Sequence, residues 1–488
     1  MTGAERERAV LADVPRELFI AGEWRAAAAA GRLSVEDPST AEPLAEVADA
    51  EVQDALAALA AAADAQAAWA AHPPRERGEI LRRAYEAIVA QTEDLALLMT
   101  LEMGKALAES RAEIAYAAEF FRWFAEEAVR IHGRYMVNTT GKGRILTMRQ
   151  PVGPCVFVTP WNFPTAMGTR KIAPAIAAGC TMVVKPAQQT PLSMLALARI
   201  LERAGLPAGV LNVITAKRSG AVIEPLLRDP RTRKLSFTGS TEVGRTLIEQ
   251  SAEQVLRVSM ELGGNAPFLV FADADLDAAV EGALQAKMRN VGEACTAANR
   301  FYVHEARAEE FAGRLAERMG AMKVGRGTEP DVEVGPLIDE AQRAKVAELV
   351  DDALARGARA LVGGGPREGP GYFFEPTVLA GVHEGARLLS EEIFGPVAPI
   401  ATFHSDAEAI AAANRTEYGL VAYVYTRDLD RALHVCEAIE TGMVGLNQGV
   451  VSNPAAPFGG VKQSGFGREG GFEGIGEYLE TKYVAIGV

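Results

Sequence analysis

The fold class of this chain is decided by residues 234–244, which read KLSFTGSTEVG. The apolar run Leu235–Phe237 is typical of a buried strand, and the stretch Ser240–Gln250 has the pattern of a helix. Gly239 permits a tight turn between the two, and Ser240 can cap the new helix. A strand followed at once by a helix is the repeating unit of an open parallel sheet flanked by helices.

The same alternation continues on both sides of this stretch. Further apolar runs, separated by helical stretches, lie at Cys155–Val158, Met182–Val184, Val210–Ile214, Arg300–Val303, Ala398–Thr402 and Val421–Tyr425. A chain of 488 residues is too long for one hydrophobic core, so two lobes are expected. The Gly-rich run Glu261–Gly264, followed by Pro267, is a natural place for the chain to pass from one lobe to the other.

The two ends of the chain differ from this alternating part. The first 130 residues are rich in alanine and predict helices over Glu51–Ala71 and Arg75–Met103. The run Ala26–Ala30 predicts a loop or a helix fragment. The segment Gly133–Gln150 alternates as a hairpin would, and Tyr478–Val488 has strand character.

Composition and charge exclude several classes of protein. A net charge of −14 argues against nucleic acid as a partner. No apolar stretch has membrane-spanning length, and the charged residues Glu5, Arg6, Glu7 and Arg8 argue against a secretory signal. Four cysteines without C-x-x-C spacing indicate a reducing compartment. We therefore expect a cytoplasmic enzyme without a membrane partner or a bound metal.

Two residues point to covalent catalysis. Glu261 stands in the run Glu261–Asn265, and Cys295 follows 34 residues later, between small residues. A potential general base and a potential thiolate on Gly-loosened turns suit two-step chemistry. The other cysteines, Cys155, Cys180 and Cys436, adjoin apolar or helical stretches and are most simply small buried hydrophobes. A structural role for Cys295 stays open on this evidence alone.

With two further motifs, this pair resembles the signature set of the aldehyde dehydrogenase superfamily. The motifs are Trp161–Pro164 and Glu392–Pro396, and the order Asn, Glu, Cys, Glu along the chain also fits. The resemblance implies an α/β fold with two Rossmann-like open parallel-sheet domains and a small β oligomerisation element. It implies a dinucleotide-binding domain over 1–130 and 150–258, a catalytic domain over 259–450, and an oligomerisation element over 131–149 and 470–488. A homodimer or homotetramer is then expected.

The resemblance also implies catalytic roles. The thiolate of Cys295 adds to an aldehyde, and the side-chain amide of Asn162 donates to the resulting oxyanion. Hydride leaves to a nicotinamide ring, and Glu261 then activates the water that hydrolyses the thioester. Lys171 matches a lysine that assists the hydrogen-bond network of the site, although a lysine on the helix surface is the other interpretation.

The expected cofactor is NADP or NAD. No G-x-G-x-x-G follows a predicted strand, so the turn at Gly239 and Ser240 is the candidate phosphate site, unless it is only a capped turn. Lys185 ends a predicted strand, and the resemblance assigns it to the adenosine ribose. Gln188 stands where NAD-preferring members carry a glutamate, and Lys217 and Arg218 lie on a nearby predicted loop, so we expect NADP to be accepted. The other cofactor residues implied by the resemblance are Thr159, Trp161, Leu262, Glu392 and Phe394.

Two arginines narrow the substrate class. Arg170 and Arg289 match the positions that hold the distal carboxylate in the succinate-semialdehyde dehydrogenase subfamily, and Ser452 matches a third contact. Members of that subfamily commonly carry a second cysteine two residues after the nucleophile. This chain has Ala297 there, so no redox-switch disulfide is expected. Glutarate semialdehyde or general aliphatic aldehydes are alternative substrates, and a cysteine esterase or a structural family member are alternative classes.

Overall fold

The computed structural model describes residues 2–487. Its strands are β1 Leu18–Ile20, β2 Glu23–Arg25, β3 Arg32–Asp37, β4 Glu42–Ala48, β5 Arg134–Val137, β6 Arg144–Pro151, β7 Cys155–Val158, β8 Met182–Lys185, β9 Leu211–Val213, β10 Lys234–Thr238, β11 Arg257–Glu261, β12 Ala266–Val270, β13 Ala298–His304, β14 Arg359–Val362, β15 Thr377–Ala380, β16 Val397–Phe403, β17 Val421–Tyr425, β18 Met443–Leu446, β19 Gly465–Phe466 and β20 Leu479–Ile486.

Helices connect most of these strands. They are α1 Gly3–Asp13, α2 Val52–Ala71, α3 Pro74–Ala90, α4 Thr92–Met103, α5 Leu107–Glu127, α6 Ala166–Ala178, α7 Leu192–Arg203, α8 Ser219–Arg228, α9 Thr241–Ala252, α10 Leu276–Met288, α11 Glu305–Gly320, α12 Glu340–Ala355, α13 Asp406–Asn414, α14 Leu429–Ala438 and α15 Gly471–Gly476. Among the helices formed by residues 2–487, none combines the length and hydropathy of a membrane-spanning segment.

Two large sheets confirm the expected α/β class. The first has the order β19-β11-β10-β7-β8-β9-β1-β2, and the second has the order β14-β15-β16-β13-β12-β17-β18. The strands β7 to β11 pair in parallel, and so do β12, β13 and β15 to β18, while the edge strands β2, β14 and β19 pair antiparallel. Apolar runs and helices that alternate in sequence therefore give the parallel sheets that the pattern predicts.

Each large sheet is buried on both faces. Along β7, Cys155 and Phe157 lie in one apolar cluster, whereas Val156 lies in another. In the second sheet, Phe268 and Leu269 are divided between two clusters in the same way. Successive side chains of a strand point to opposite faces, so each sheet has helices packed on both sides.

The N-terminal part differs from its expected helical character in two places. The expected helix Arg75–Met103 is two helices, α3 and α4, which are separated at Gln91. Four strands, β1 to β4, lie within residues 18–48, where the sequence reasoning named none. Strand β1 pairs with β9 through Phe19 and Val213, so β1 and β2 complete the first sheet. Strands β3 and β4 pair with each other in a separate two-stranded sheet. The run Ala26–Ala30 is a loop.

The third sheet has the order β20-β6-β5 and is antiparallel. The predicted hairpin over residues 133–150 forms β5 and β6, and β20 pairs with β6 of the same chain from Leu479 to Ile486. Val488, at the end of the predicted C-terminal strand, lies outside the described residues. Within residues 470–488, α15 packs on the first lobe, where the Trp123 indole donates to the Gly471 carbonyl at 3.1 Å. This segment is therefore shared between the third sheet and the first lobe.

The boundary expected after residue 258 falls inside a strand. Strand β11, Arg257–Glu261, pairs in parallel with β10 and belongs to the first sheet. The last parallel strand of the first sheet therefore ends at Glu261, three residues after the expected domain boundary. Strand β12 of the second sheet begins at Ala266.

Candidate active site

A cavity of about 200 Å³ lies at the carboxyl ends of β7, β10 and β11, beside the loop that precedes β13. Ligands of open α/β sheets bind at such strand ends. The expected site residues that line it are Trp161, Asn162, Arg170, Gly239, Ser240, Glu261, Leu262, Cys295, Glu392 and Phe394. The other expected residues, which lie outside this lining, are Thr159, Lys171, Lys185, Gln188, Arg289 and Ser452.

Glu261 ends β11 and is buried. Its backbone carbonyl accepts a hydrogen bond from the Gly239 amide at 3.1 Å, which ties the strand end to the turn after β10. Its Oε2 atom has no hydrogen-bond partner among residues 2–487. Burial, together with the negative charge of Glu469, raises the pKa of Glu261 well above its usual range. A carboxylate at this position is therefore a stronger proton acceptor than an exposed one.

Cys295 lies in the loop before β13 and is partly exposed, whereas Cys155 and Cys180 are fully buried. Burial raises the pKa of the Cys295 thiol to about 12, against the opposing positive charge of Arg170. The resting sulfur is therefore a thiol at neutral pH and requires a base before it can act as a nucleophile.

The loop that carries Cys295 is tightly held, not loosened by its glycine. Asn290 and Val291 have φ values of 54° and 57°, a conformation that non-glycine residues rarely adopt. The Asn290 amide donates to both carboxylate oxygens of Glu109, at 2.8 and 2.9 Å. At Gly292, φ is +78° and a Cβ would lie 2.2 Å from the Gly395 carbonyl oxygen, so only glycine fits there.

Asn162 faces the same loop. Its Nδ2 atom donates to the Glu293 carbonyl at 3.0 Å, two residues before the nucleophile. Its backbone carbonyl accepts from Lys105 Nζ at 2.8 Å and from Asn290 Nδ2 at 3.0 Å. A side-chain amide carries two N–H hydrogens, so one of them is left for an oxyanion formed near Cys295.

Lys171 is fully buried, so the interpretation as a lysine on the helix surface is wrong. Its ammonium donates to the Glu469 carboxylate and to Ser236 Oγ, the latter at 3.1 Å. Arg170 also approaches Glu469, with 2.7 Å between Nε and Oε2, and its guanidinium carbon lies 3.8 Å from the centroid of the Phe458 ring. Although burial acts to raise it, Lys171 and Arg170 hold the pKa of Glu469 below its usual value.

Arg289 and Ser452, two of the three residues expected at a carboxylate site, are in contact. Arg289 Nη1 donates to Ser452 Oγ at 3.0 Å, and the guanidinium carbon lies 4.9 Å from the centroid of the Phe163 ring. Arg289 therefore presents its charge beside an aromatic wall, whereas Arg170 is already paired with Glu469.

The expected cofactor residues of the cavity lie on two turns. Ser240 Oγ accepts from the Val243 amide at 3.4 Å, so Ser240 is the N-cap of α9 as well as a wall of the cavity. The Trp161 and Phe394 rings meet edge to face, with 5.3 Å between centroids. Glu392 accepts from the Gly264 amide at 3.2 Å, and burial raises the pKa of Glu392 to about 7.

The remaining expected cofactor residues lie along β7 and β8. The Thr159 amide donates to the Lys185 carbonyl at 3.2 Å, and Lys185 Nζ donates to Ser219 Oγ. Burial lowers the pKa of Lys185 to about 8. Gln188 and Lys217 line a second cavity of about 390 Å³, but Arg218 does not.

Two buried hydroxyl groups at the site are suited to hydrogen bonds with a dinucleotide. Thr159 Oγ1 and Thr238 Oγ1 have no hydrogen-bond partner within residues 2–487. Both lie at strand ends beside the expected cofactor residues. Buried polar atoms are rarely left unpaired, so these hydroxyls suit the ribose and phosphate groups of a dinucleotide, and the residues present fit that cofactor. In the part of the chain that the structure describes, no three His, Cys, Asp or Glu side chains are grouped as metal ligands.

Several residues of the site were not predicted from the sequence. Glu469 pairs with Lys171 across 298 residues, and no local pattern marks that pairing. Gln342 Nε2 donates to the Ile393 and Phe394 carbonyls, at 3.1 and 2.7 Å, and thereby holds Phe394 at a φ of 56°. Lys345, on the same helix as Gln342, also lines the cavity. Helical periodicity alone places these two residues on one face but cannot say which loop they meet.

A thiol, a buried carboxyl and an amide donor surround one cavity at the edge of a parallel sheet. This arrangement, beside a capped helix start, defines a class of α/β enzyme, the dinucleotide-dependent oxidoreductases with a cysteine nucleophile. The chain belongs to the aldehyde dehydrogenase family, whose model matches residues 24–484. The resemblance drawn from the sequence motifs is thereby confirmed.

Individual relatives cover nearly the whole chain. A succinate-semialdehyde dehydrogenase of Paenarthrobacter nicotinovorans is 59% identical over 91% of this chain and 98% of its own length. A glutarate-semialdehyde dehydrogenase of Pseudomonas putida is 50% identical over 97% and 98%, respectively. A crystal structure described as an NADP dependent enzyme of Escherichia coli is 50% identical, covers 97% of this chain and 98% of its own, and superposes with a TM-score of 0.96.

Proposed function

We propose that this protein oxidises succinate semialdehyde to succinate, with NADP or NAD as the hydride acceptor. The observation that carries the proposal is the hydrogen bond between Arg289 and Ser452 at 3.0 Å, together with the positive charges of Arg289 and of the cavity-lining Arg170, both of which influence Cys295. Guanidinium groups grip carboxylates with paired hydrogen bonds. The similarity to a succinate-semialdehyde dehydrogenase at 59% identity supports the same substrate.

The first chemical step forms a carbon–sulfur bond. Glu261 accepts the thiol proton, directly or through a water molecule, and Cys295 Sγ attacks the aldehyde carbon. The carbonyl oxygen becomes an oxyanion, to which Asn162 Nδ2 and the Cys295 backbone N–H donate. Loss of one such donor costs about 3 kcal/mol of transition-state stabilisation.

The second half of the reaction releases the acid. A bound dinucleotide would supply the hydride acceptor, and the carbon held on Cys295 Sγ would lose its hydride and become a thioester. The Glu261 carboxyl first releases to solvent the proton that it took from the thiol, and the carboxylate then takes a proton from water while the water oxygen attacks the thioester carbonyl. The carbon–sulfur bond breaks, the sulfur recovers a proton, and the carboxylic acid leaves. Lys171 and Glu469 keep the charges around Glu261 in balance during both proton transfers.

We assign the dinucleotide mainly to residues of the first lobe, with Glu392 and Phe394 contributed by the loop before β16 of the second sheet. Lys185 and Gln188 are placed at the adenosine ribose, and Gly239 and Ser240 at the pyrophosphate, because a helix N-terminus attracts phosphate. Glu392 would bind the nicotinamide ribose and Phe394 would flank the nicotinamide ring, and Thr159, Trp161 and Leu262 are the further cofactor residues of the proposal. Gln188 carries no charge to repel a 2′-phosphate, and Lys217 shares its cavity, which favours acceptance of NADP.

These assignments give each sheet of the chain a separate role. The first sheet and its helices bind the dinucleotide, and the second sheet supports Cys295. The β20-β6-β5 sheet exposes Tyr135, Met136, Val137 and Tyr483, which suits a contact between subunits of a homodimer or homotetramer. Light scattering on the purified protein tests that assembly, and a monomer at micromolar concentration would contradict it. A cytoplasmic location is part of the same proposal.

The substrate is tested by comparing an aldehyde with and without the distal carboxylate. Initial rates of reduced-cofactor formation are measured with succinate semialdehyde and with butanal. We expect a large advantage in kcat/KM for the charged substrate, and Arg289→Met is expected to reduce it about a hundredfold, since truncating one partner of a buried charge pair costs about 2–5 kcal/mol. Arg318→Met, at an exposed arginine paired with Glu281, is the matched control.

Equal kcat/KM values for the two aldehydes would indicate a general aldehyde oxidiser. The preferred chain length is determined by measuring kcat/KM for glutarate semialdehyde as well. This comparison is needed because one methylene is worth only about 1–3 kcal/mol of discrimination. A higher kcat/KM for that substrate than for succinate semialdehyde would replace the proposed substrate with the alternative one.

Cofactor preference has its own test. The ratio of kcat/KM for NADP to that for NAD is compared between the wild type and Gln188→Glu. We expect the new carboxylate to lower this ratio about tenfold, a change of ~1.4 kcal/mol, because it repels the 2′-phosphate. An unchanged ratio would mean that Gln188 does not face the ribose.

A further inference from the structure

Tyr116 occupies a position in the substrate region that sequence reasoning did not single out. It lies on α5, between the buried residues Glu113 and Phe120, and its ring meets Phe120 edge to face at 5.0 Å. Residues three and four apart share one face of a helix, so Tyr116 is on the inner face of α5. The guanidinium carbon of Arg289 lies 5.9 Å from the centroid of its ring.

The hydroxyl group of Tyr116 is buried without a partner. Within residues 2–487, no group forms a hydrogen bond with Tyr116 Oη, and the same holds for Arg170 Nη2. Tyrosine usually places its hydroxyl in contact with a partner when it is buried, because otherwise the hydrogen bonds to water are lost and not replaced. Two unpaired donors close to one place indicate a ligand that accepts hydrogen bonds.

The charges around this hydroxyl define the ligand. Burial raises the pKa of the Tyr116 hydroxyl, the positive charges of Arg170 and Arg289 oppose that rise, and Glu469 adds to it. Ser452 lies within reach of the hydroxyl, but the two groups do not have the geometry of a hydrogen bond. Because its pKa lies above the usual value of a tyrosine, the hydroxyl keeps its proton at neutral pH and can donate it. A neutral donor among two guanidinium groups suits an anion with several acceptor sites, such as a carboxylate.

We propose that Tyr116 is a specificity-determining residue whose hydroxyl donates a hydrogen bond to the distal carboxylate of a semialdehyde substrate. This inference rests on the proposed function, since it extends the same carboxylate site. A carboxylate offers about four lone-pair sites. Arg289, Ser452, Arg170 and Tyr116 supply one donor group for each.

A purely structural tyrosine would behave differently. Its hydroxyl would have a fixed partner in the protein, and its loss would change the reaction with every aldehyde equally. The ring contacts with Phe120 and Arg289 remain in Tyr116→Phe, so this variant removes only the hydroxyl. The difference between a charged and an uncharged aldehyde therefore isolates the proposed contact.

The test measures kcat and KM for succinate semialdehyde and butanal in the wild type and in Tyr116→Phe. We expect kcat/KM for succinate semialdehyde to fall about tenfold, mostly through a higher KM, because a hydrogen bond to a charged group is lost. The value for butanal is expected to stay within twofold. Inhibition by the product succinate weakens in parallel, and the thermal midpoint does not fall.

Tyr85→Phe is the matched control, because Tyr85 also lies beside an arginine, with 5.8 Å between its ring centroid and the Arg122 guanidinium carbon. We expect Tyr85→Phe to leave kcat/KM unchanged for both aldehydes. Equal losses for both aldehydes in Tyr116→Phe, or no loss for succinate semialdehyde, would overturn the inference.

The two proposals fail in distinguishable ways. A wild type without preference for succinate semialdehyde over butanal refutes the proposed function itself. A wild type with that preference, lost in Arg289→Met and kept in Tyr116→Phe, refutes the role of Tyr116 alone.

Discussion

Two buried polar clusters lie close to Asn162, and they differ in how completely their hydrogen bonds are satisfied. The frame cluster consists of Lys105 and Glu113. Lys105 Nζ donates to Glu113 Oε2 at 2.6 Å and to the Asn162 carbonyl at 2.8 Å. Glu113 Oε1 accepts the amides of Thr165 and Ala166, at 3.0 and 3.1 Å, at the start of α6. Neither side chain leaves a buried atom unpaired among residues 2–487.

The reactive cluster consists of Arg170, Lys171, Glu261 and Glu469, and it is incomplete. Glu261 Oε2 and Arg170 Nη2 are buried without a hydrogen-bond partner in the described part of the chain, and Glu469 Oε2 has only its ion-pair contact with Arg170 Nε. Arg170 and Glu261 line the cavity that contains Cys295. The cluster therefore has unused donors and acceptors at the place where substrate and water arrive.

The comparison shows that buried charged clusters can either hold the backbone in place or supply groups for a reaction, depending on how completely they are paired. A fully paired cluster fixes the backbone around it, because any movement would leave a charge unpaired at low dielectric. An incompletely paired cluster keeps groups whose protons and charges can be used during a reaction. Here the first kind holds the backbone of Asn162, and the second kind surrounds Glu261.

The largest effect is expected from Glu261→Gln in the reactive cluster. The amide cannot accept a proton from water, so kcat is expected to fall about 10²–10⁴-fold, the usual contribution of a general base. The thermal midpoint should not fall, because Glu261 already has a raised pKa and the amide has nearly its shape. Steady-state rates and thermal unfolding measure the two quantities. Glu249→Gln, at an exposed glutamate of α9, is the control, and a threefold loss or less in Glu261→Gln would remove Glu261 from the mechanism.

Breaking the frame cluster should act on stability as well as on rate. Lys105→Met leaves the Glu113 carboxylate buried without its cation, which is expected to lower the free energy of unfolding by about 3–5 kcal/mol. The double variant Lys105→Met, Glu113→Gln is expected to recover part of that loss. Denaturant unfolding measures both.

An exposed ion pair provides the control for this second prediction. Arg111 and Glu93 are paired at 2.8 Å but remain about half exposed. Arg111→Met should cost less than about 1 kcal/mol, as surface pairs do. The contrast between the two clusters would be lost if the double variant were no more stable than Lys105→Met.

Residues that stand next to a turn could be predicted from the sequence. Ser240 follows a predicted strand beside glycine, Glu261 lies in a Gly-rich run, and Asn162 and Cys295 lie in motifs that resemble those of a known family. The parallel sheets followed from apolar runs of strand length. Local pattern and chain order are sufficient for features of this kind.

Residues that act across long distances could not be predicted. All of α6 is buried, so no polar face showed that Lys171 points inward. Its partner Glu469 follows by 298 residues, and the fold alone brings the two together. Strands β1 to β4 were missed because their runs are short and mixed with polar residues, and the break at Gln91 has no glycine or proline to mark it.

The smallest effect expected within the reactive cluster concerns the pH dependence of the rate. Glu261 must be ionised to act as a base, so activity rises as pH rises through its pKa. The positive charge of Lys171 holds that pKa down against burial and Glu469. Lys171→Gln removes the charge, so the pKa of Glu261 rises and the acidic limb of kcat against pH moves to higher pH by about one unit. Glu469 still has Arg170 as a partner in this variant, so no buried carboxylate is left unpaired. Lys142→Gln, at an exposed lysine, should leave the limb in place. A limb that moves to lower pH in Lys171→Gln would show that Lys171 does not act on Glu261 by its charge.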